Sequence, residues 1–349
     1  MRLSSCQFVF TFLVASLAWQ QPPADVHVDA EARNSVVDTL VSKIEIGYVV
    51  PEAARAAITK LRNAEASGTY GGLDTARTFA EKLTSDLRSA TRDKHIAVFF
   101  DPEIPTPTES AEPDTKSRER FNFGFYKVER LQENIGYLEL RSFANLDVGR
   151  ESASTYLGAL ANFDAIIIDL RQNGGGNTPM VAYVASYCLG PKPVHLTDMY
   201  WRDQNQTVEL WTDENVPGHR SVSQDLYILV GPSTFSAAED FSYSLKQLKR
   251  ATLVGERSGG GAHMGRGLQR LSPLFTAFIP TGQSLNPITK TNWENVGVEP
   301  DIKVPVGKAL IQAHVLALRR LLERERDPNW KGDLRRAIED VSAGKAGPY

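Results

Sequence analysis

The chain has 349 residues, of which 42% are hydrophobic and 23% charged, with a formal net charge of -3. That composition is globular and supplies enough apolar material for about two domains. No basic run or stripe appears, which argues against nucleic-acid binding.

Arg2 followed by the apolar run Phe8 to Leu17 and the small residues at Ser16-Leu17-Ala18 reads as a signal peptide over residues 1–18. The run is too short for an ordinary membrane span. Cleavage would remove Cys6 and leave Cys188 alone, so no internal disulfide is expected. The mature protein is expected to be exported, periplasmic or extracellular, without stable membrane insertion. Residues 30–100 carry three helical patterns and end in a strand, Ile96 to Phe100, which predicts a small helical domain. Asp93-Lys94-His95 stands at the helix–strand junction. A histidine there is either an ordinary surface residue or one held for chemistry.

Residues 101–120 are rich in proline and charge and predict a linker. A second domain over residues 121–325 then opens with a hairpin, Phe123 to Leu131 and Ile135 to Leu140. A helix is expected over Glu151 to Ala161. Ala165 to Leu170 is almost continuously apolar and predicts a strand buried on both faces. Gly174, Gly175 and Gly176 follow it, and three glycines there can aim N–H groups at a ligand. No G-K-[ST] follows, so this is not a phosphate-binding Walker loop. Two strands are expected between Val194 and Trp211, with His195 and His219 as surface residues.

Tyr227 to Val230, Gly231-Pro232, Ser236 and a helix from Ala237 spell strand, turn, serine, helix. That order holds a hydroxyl at a helix N-terminus, where main-chain N–H groups favour a developing anion. Ser236 is therefore a candidate nucleophile. Ser236-Ala237-Ala238-Glu239 equally fits a capping box, in which the serine only caps its helix. A second glycine loop, Ser258 to His263, is followed by strands rather than a helix, which excludes a dinucleotide fingerprint. It reads as another wall of a cleft, with His263 a lesser site candidate. Glu294 lies in a turn-rich loop where a solvated carboxylate is the plain reading. Lys308 to Arg324 is amphipathic, and residues 326–349 read as a polar C-terminal tail with one short helix. No internal repeat, H-E-x-x-H or paired-cysteine metal motif occurs.

Asp93 to His95, Ile166 to Gly176, Ser233 to Phe241, Val254 to His263 and Asn292 to Ile302, taken in order, resemble the tail-specific, or C-terminal-processing, serine protease family. The closest branch is similar to the repeats of interphotoreceptor retinoid-binding protein and to the core of tricorn protease. The resemblance implies an α/β fold of the crotonase and ClpP type, a superhelix of ββα units, behind a small helical bundle. The linker is too short for a PDZ module. The resemblance implies Ser236 as nucleophile, His95 as general base and Glu294 as its acidic partner. The N–H groups of Ala237 and Gly175 would form an oxyanion hole, with Gly174, Gly176, Gly260 and Gly261 binding substrate. Gly261 stands where another branch has a catalytic lysine, and Lys94 stands where the tricorn-like branch has serine. How Glu294 reaches the imidazole is thus left open. The implied partner is a peptide or protein substrate, with no cofactor and no metal; the oligomeric state is not indicated. The alternative is a catalytically weak or inactive binding protein for a lipid-like or retinoid-like ligand.

Overall fold

The computed structural model describes residues 24–100 and 119–345. The expected signal peptide and all but the last two residues of the expected linker lie outside them. The N-terminal domain packs α1 (Ala30–Gly47), α2 (Pro51–Ala66) and α3 (Ala76–Thr91). Asp29 caps α1 by accepting the Ala32 N–H, and Thr75 caps α3 by accepting the Thr78 N–H. Phe79, Leu83 and Leu87 recur every fourth residue and are fully buried. Arg92 ends α3 in the left-handed region at φ 61°, which redirects the chain into Asp93-Lys94-His95 and β1 (Ala97–Phe100).

The second domain is built on a six-stranded sheet. Its strands are β2 (Phe125–Leu131), β3 (Ile135–Leu140), β4 (Ala165–Asp169), β7 (Asp225–Val230), β8 (Thr252–Gly255) and β13 (Ile302–Lys303). In space the order is β13-β8-β7-β4-β3-β2, parallel except for the β2–β3 hairpin. β4 is buried at every position, as its apolar run predicts. Ile166 and Ile168 face the core shared with α4 (Leu146–Ala159), α5 (Thr178–Cys188) and α6 (Ala237–Gln247). Ala165 and Ile167 face the opposite core, shared with α7 (Ala309–Arg324) and α8 (Pro328–Ser342). The strand period of two thus feeds two cores from one segment. This is the expected α/β domain behind a helical N-terminal domain. Cys188 is buried at the end of α5, as expected.

Three expectations need correction. α4 starts at Leu146, before Glu151, because Asn145 caps it by accepting the Asp147 N–H. The expected polar tail contains α8, whose Leu334, Ala337 and Val341 are buried against the second core. The domain boundary is also crossed. β10 (Leu268–Ser272) and β11 (Phe275–Phe278) form a hairpin that pairs with β1. Leu271, Phe275, Ala277 and Ile279 bury themselves in the N-terminal core. A further antiparallel sheet, in the order β6-β5-β12-β9, joins β5 (His195–Trp201), β6 (Gln206–Trp211), β9 (His263–Met264) and β12 (Gly282–Leu285). No helix among the described residues is long and apolar enough to cross a membrane.

Candidate active site

Ser236 sits between β7 and α6 with φ 55° and ψ -120°. Few non-glycine residues adopt positive φ, and such strain costs on the order of 1–3 kcal/mol. Neighbouring bonds hold it. Thr234 donates its hydroxyl to Leu170 O at 2.8 Å, and Phe235 donates its N–H to Asn173 O at 3.0 Å. The serine turn is thereby fastened to the loop after β4. Glu239, which is fully buried, accepts the Ser236 N–H at 2.8 Å, the reciprocal arm of a capping box. The same carboxylate accepts the Gly260 and Gly261 N–H groups at 2.6 and 2.8 Å and the Ser258 hydroxyl at 2.5 Å. Burial pushes the Glu239 carboxyl up, and these four donors oppose it. One side chain therefore ties the serine to the second glycine loop.

Gly175 packs directly on this turn. A Cβ on it would lie 2.8 Å from Ser236 Cβ and 3.0 Å from the Ala237 nitrogen, and its φ is 107°. Only glycine fits. Its N–H, however, donates to Asn173 Oδ1 at 2.8 Å. The oxyanion donor expected at Gly175 is thus already engaged, because the Asn173 side chain closes the turn. Next to it, Gly176 lines a cavity of about 240 Å³ together with Ser236, Ala237, His95, Gly261 and His263. Of the four glycines expected to bind substrate, Gly176 and Gly261 line this cavity and Gly174 and Gly260 do not.

His95 reaches the cavity from the N-terminal domain. It is mostly buried, not a surface histidine, and its ring lies against Phe235 (centroids 4.5 Å apart) and Phe278 (6.2 Å). Gly261 must lack a side chain here, since a Cβ would lie 2.7 Å from His95 Cε1. Among the described residues neither ring nitrogen has a hydrogen-bond partner, so no bond to Ser236 is formed. Burial holds the imidazole down to about 4, with the Asp93 charge opposing.

Glu294 is brought to His263 rather than to His95. Its Oε2 accepts the Ala262 and His263 N–H groups at 2.5 and 3.1 Å, and its Oε1 is 3.8 Å from His263 Nδ1. Its side chain is mostly covered rather than solvated, and burial pushes the carboxyl up, chiefly against the His263 charge. Asp93 lies between the two histidines and is fully buried. Its Oδ1 accepts the His95 N–H at 2.8 Å and lies 3.8 Å from His95 Nδ1. Its Oδ2 pairs with His263 Nδ1 at 2.8 Å and accepts the Tyr48 hydroxyl at 3.0 Å. The order is therefore Glu294, His263, Asp93, His95. Sequence reasoning quoted Asp93 only as part of a motif and Glu239 only as a cap. Lys94 turns away and donates to Gly259 O at 2.5 Å.

Asp93, His263 and Glu294 also bring ligand atoms within 4.8 Å of one another, a set able to hold a cation. Protein donors already engage both Asp93 oxygens and Glu294 Oε2, and among the described residues Glu294 Oε1 has no hydrogen-bond partner. A second such group, His195, Asp198 and Glu209, is on the β5–β6 hairpin and does not line the cavity.

Two family models match this chain. Residues 134–304 match Peptidase family S41, and residues 30–129 match the N-terminal domain of Peptidase S41 in eukaryotic IRBP. The chloroplastic carboxyl-terminal-processing peptidase 2 of Arabidopsis thaliana is 28% identical over 173 residues, which are 49% of this chain and 32% of that protein. A carboxyl-terminal-processing protease of Synechocystis is 28% identical over 131 residues, 38% of this chain and 29% of that one. The chain thus matches about a third of the length of these curated relatives. Among solved structures, a lipoprotein from Streptococcus agalactiae has a TM-score of 0.53 at 16% identity, over 85% of this chain and all of that one. A photosystem II D1 C-terminal processing protease has a TM-score of 0.51 at 15% identity, over 80% and 94%. At such identities the likeness is one of fold. The two family models together span well over half the chain, which belongs to peptidase family S41.

Proposed function

We propose that this chain is a serine peptidase acting on peptide or protein substrates, with Ser236 as nucleophile. The observation that carries this reading is a serine held at positive φ on a helix N-terminus, lining one cavity with a histidine from the other domain. The Ser236 hydroxyl adds to the carbonyl carbon while its proton passes to the His95 imidazole. The tetrahedral oxygen takes the Ala237 N–H. A second donor comes from the Gly175-Gly176 turn, either as Gly175 exchanges Asn173 for the oxyanion or from Gly176. His95 then returns the proton to the leaving amine, and water frees the acyl group by the reverse steps. Burial keeps the His95 imidazole deprotonated near neutral pH, the form that can accept a proton. Asp93, rather than Glu294, is the carboxylate nearest His95, and Glu294 acts through His263. Export, read from Phe8 to Leu17, belongs to the same proposal.

Fluorophosphonate labelling tests it. Wild type should label at Ser236 and Ser236→Ala should not. One feature favours the binding reading instead: an apolar cavity of about 380 Å³, walled by Phe121, Phe123, Tyr126 and Phe143, which shares Gly176 with the serine cavity. Absent labelling together with tight binding of an apolar ligand would select that reading.

A further inference from the structure

Asp240 is a buried charge that this scheme leaves unused. It lies on the first turn of α6, four residues after the N-cap Ser236. It is 2% exposed and lines the same cavity as Ser236. Its Oδ1 accepts the Thr197 hydroxyl at 2.5 Å and the Ser244 hydroxyl at 3.2 Å. Both donors are neutral, and among the described residues no hydrogen bond reaches Oδ2. Among the described residues no lysine or arginine lines the cavity. Among the described residues, these neutral hydroxyls are the neighbours that oppose the effect of burial on this carboxyl. A carboxylate this deep calls for a cation or a proton. Fastening α6 to β5 requires Oδ1 alone, and a neutral side chain would serve for that.

The walls suit a cation as well. Trp201, Phe278 and Trp293 line the cavity, and aromatic faces attract positive charge. Trp201 already carries the Arg266 guanidinium 4.0 Å from its ring centroid. A volume of about 240 Å³ lies below the usual range for whole small-molecule ligands and fits a single extended side chain.

We propose that Asp240 is the anion of a substrate subsite for an organic ammonium group, borne by a lysine-type side chain or a free amino terminus, beside Ser236. The inference rests on the serine reading above. The substrate supplies the counter-ion that the protein withholds, and a neutral isostere would leave the carboxylate unpaired.

Three phosphonate probes test this on the full chain: N-acyl norleucine, N-acyl lysine and free-amine norleucine. At least one cationic probe should label Ser236 about tenfold faster than the neutral one, or more, because a site built around a polar group rejects the analogue lacking it. Faster labelling by the lysine probe assigns the side chain as the source, and by the free-amine probe the terminus. Asp240→Asn should erase the difference. n-Butylammonium should slow labelling by the neutral probe in wild type, while 1-butanol should not. Equal labelling of Ser236 by all three probes would overturn the subsite and spare the nucleophile. Labelling by none of them in folded protein would overturn the serine reading and the subsite with it. Should Asp240→Asn fail to fold, the wild-type ratios decide alone.

Discussion

Replacing Asp93 by Asn keeps the size of the side chain and removes its charge. Asp93 is fully buried and pairs with His263 Nδ1 at 2.8 Å. Burial alone would raise the Asp93 carboxyl, but the bond to His263 and the charges of both histidines hold it below the ordinary range. Burial alone would lower the His263 imidazole, but Asp93 and Glu294 hold it above the ordinary range. The signs then follow. A raised histidine contributes fully below about pH 6.5 and loses its share as pH rises through its folded value. A depressed aspartate contributes fully above about pH 4 and loses its share as pH falls through its folded value. The pair therefore stabilises most between about pH 4 and 6.5. At an effective dielectric of about 20 the attraction at this distance is roughly 6 kcal/mol before desolvation. Breaking such a buried pair costs about 3–5 kcal/mol. Glu294, at 3.8 Å from the same nitrogen, softens the loss toward the lower figure. Asp93→Asn should thus cost about 3 kcal/mol at pH 5.5. Above the folded value of His263 the cost should shrink toward the roughly 1 kcal/mol of a hydrogen bond. Urea unfolding of both proteins at pH 5.5 and pH 9 measures the two losses. A loss that is equal at the two pH values, or larger in alkali, would refute the assignment of a charged pair.

Four further outcomes are expected. With His95 held down to about 4 by burial, kcat/KM should fall on the acid side only as pH drops through about 4, where the base takes up a proton; a limb near pH 7 would move the base to His263. Glu239→Ala strands four donors and should cost about 2–4 kcal/mol in thermal unfolding while slowing Ser236 labelling, and unchanged labelling would end its proposed role. Gly175→Ala forces a Cβ against Ser236 at positive φ, so labelling should slow about a hundredfold or more in protein whose circular dichroism is native. Leu334→Ala should cost about 2–5 kcal/mol, whereas a dispensable tail would show no change in chemical denaturation.

What the sequence made legible was local. The β4 run, the fourth-residue spacing of α3 and the serine turn each carry their signal within a dozen residues, and each forms as read. The β10–β11 segment reads as strands, but alternation says that one face is covered, not what covers it. Asp93 hides in a polar tripeptide. It is buried once the left-handed turn at Arg92 redirects the chain and Tyr48 and His263 close over it. For α8 the sequence shows a short helix, and Leu334, Ala337 and Val341 follow helical spacing, but the polarity of the opposite face hides its length and its packing on the core. The pairing of Glu294 with His263 was beyond reach, because it depends on how two loops from different parts of the chain settle together.

The same origin explains why the interface between the domains matters. His95 and Asp93 arrive on the N-terminal domain and Ser236 on the α/β domain, so any sliding between them separates the imidazole from the hydroxyl. β11 crosses over to pair with β1, just after His95. Val49 donates its N–H to Pro280 O at 2.9 Å, and Arg202 donates to Tyr48 O at 2.6 Å. Tyr48 is the link between the two tasks: its carbonyl takes part in the clamp, and its hydroxyl holds Asp93 at 3.0 Å. A loosened clamp would therefore reach Asp93 directly, and through it both histidines.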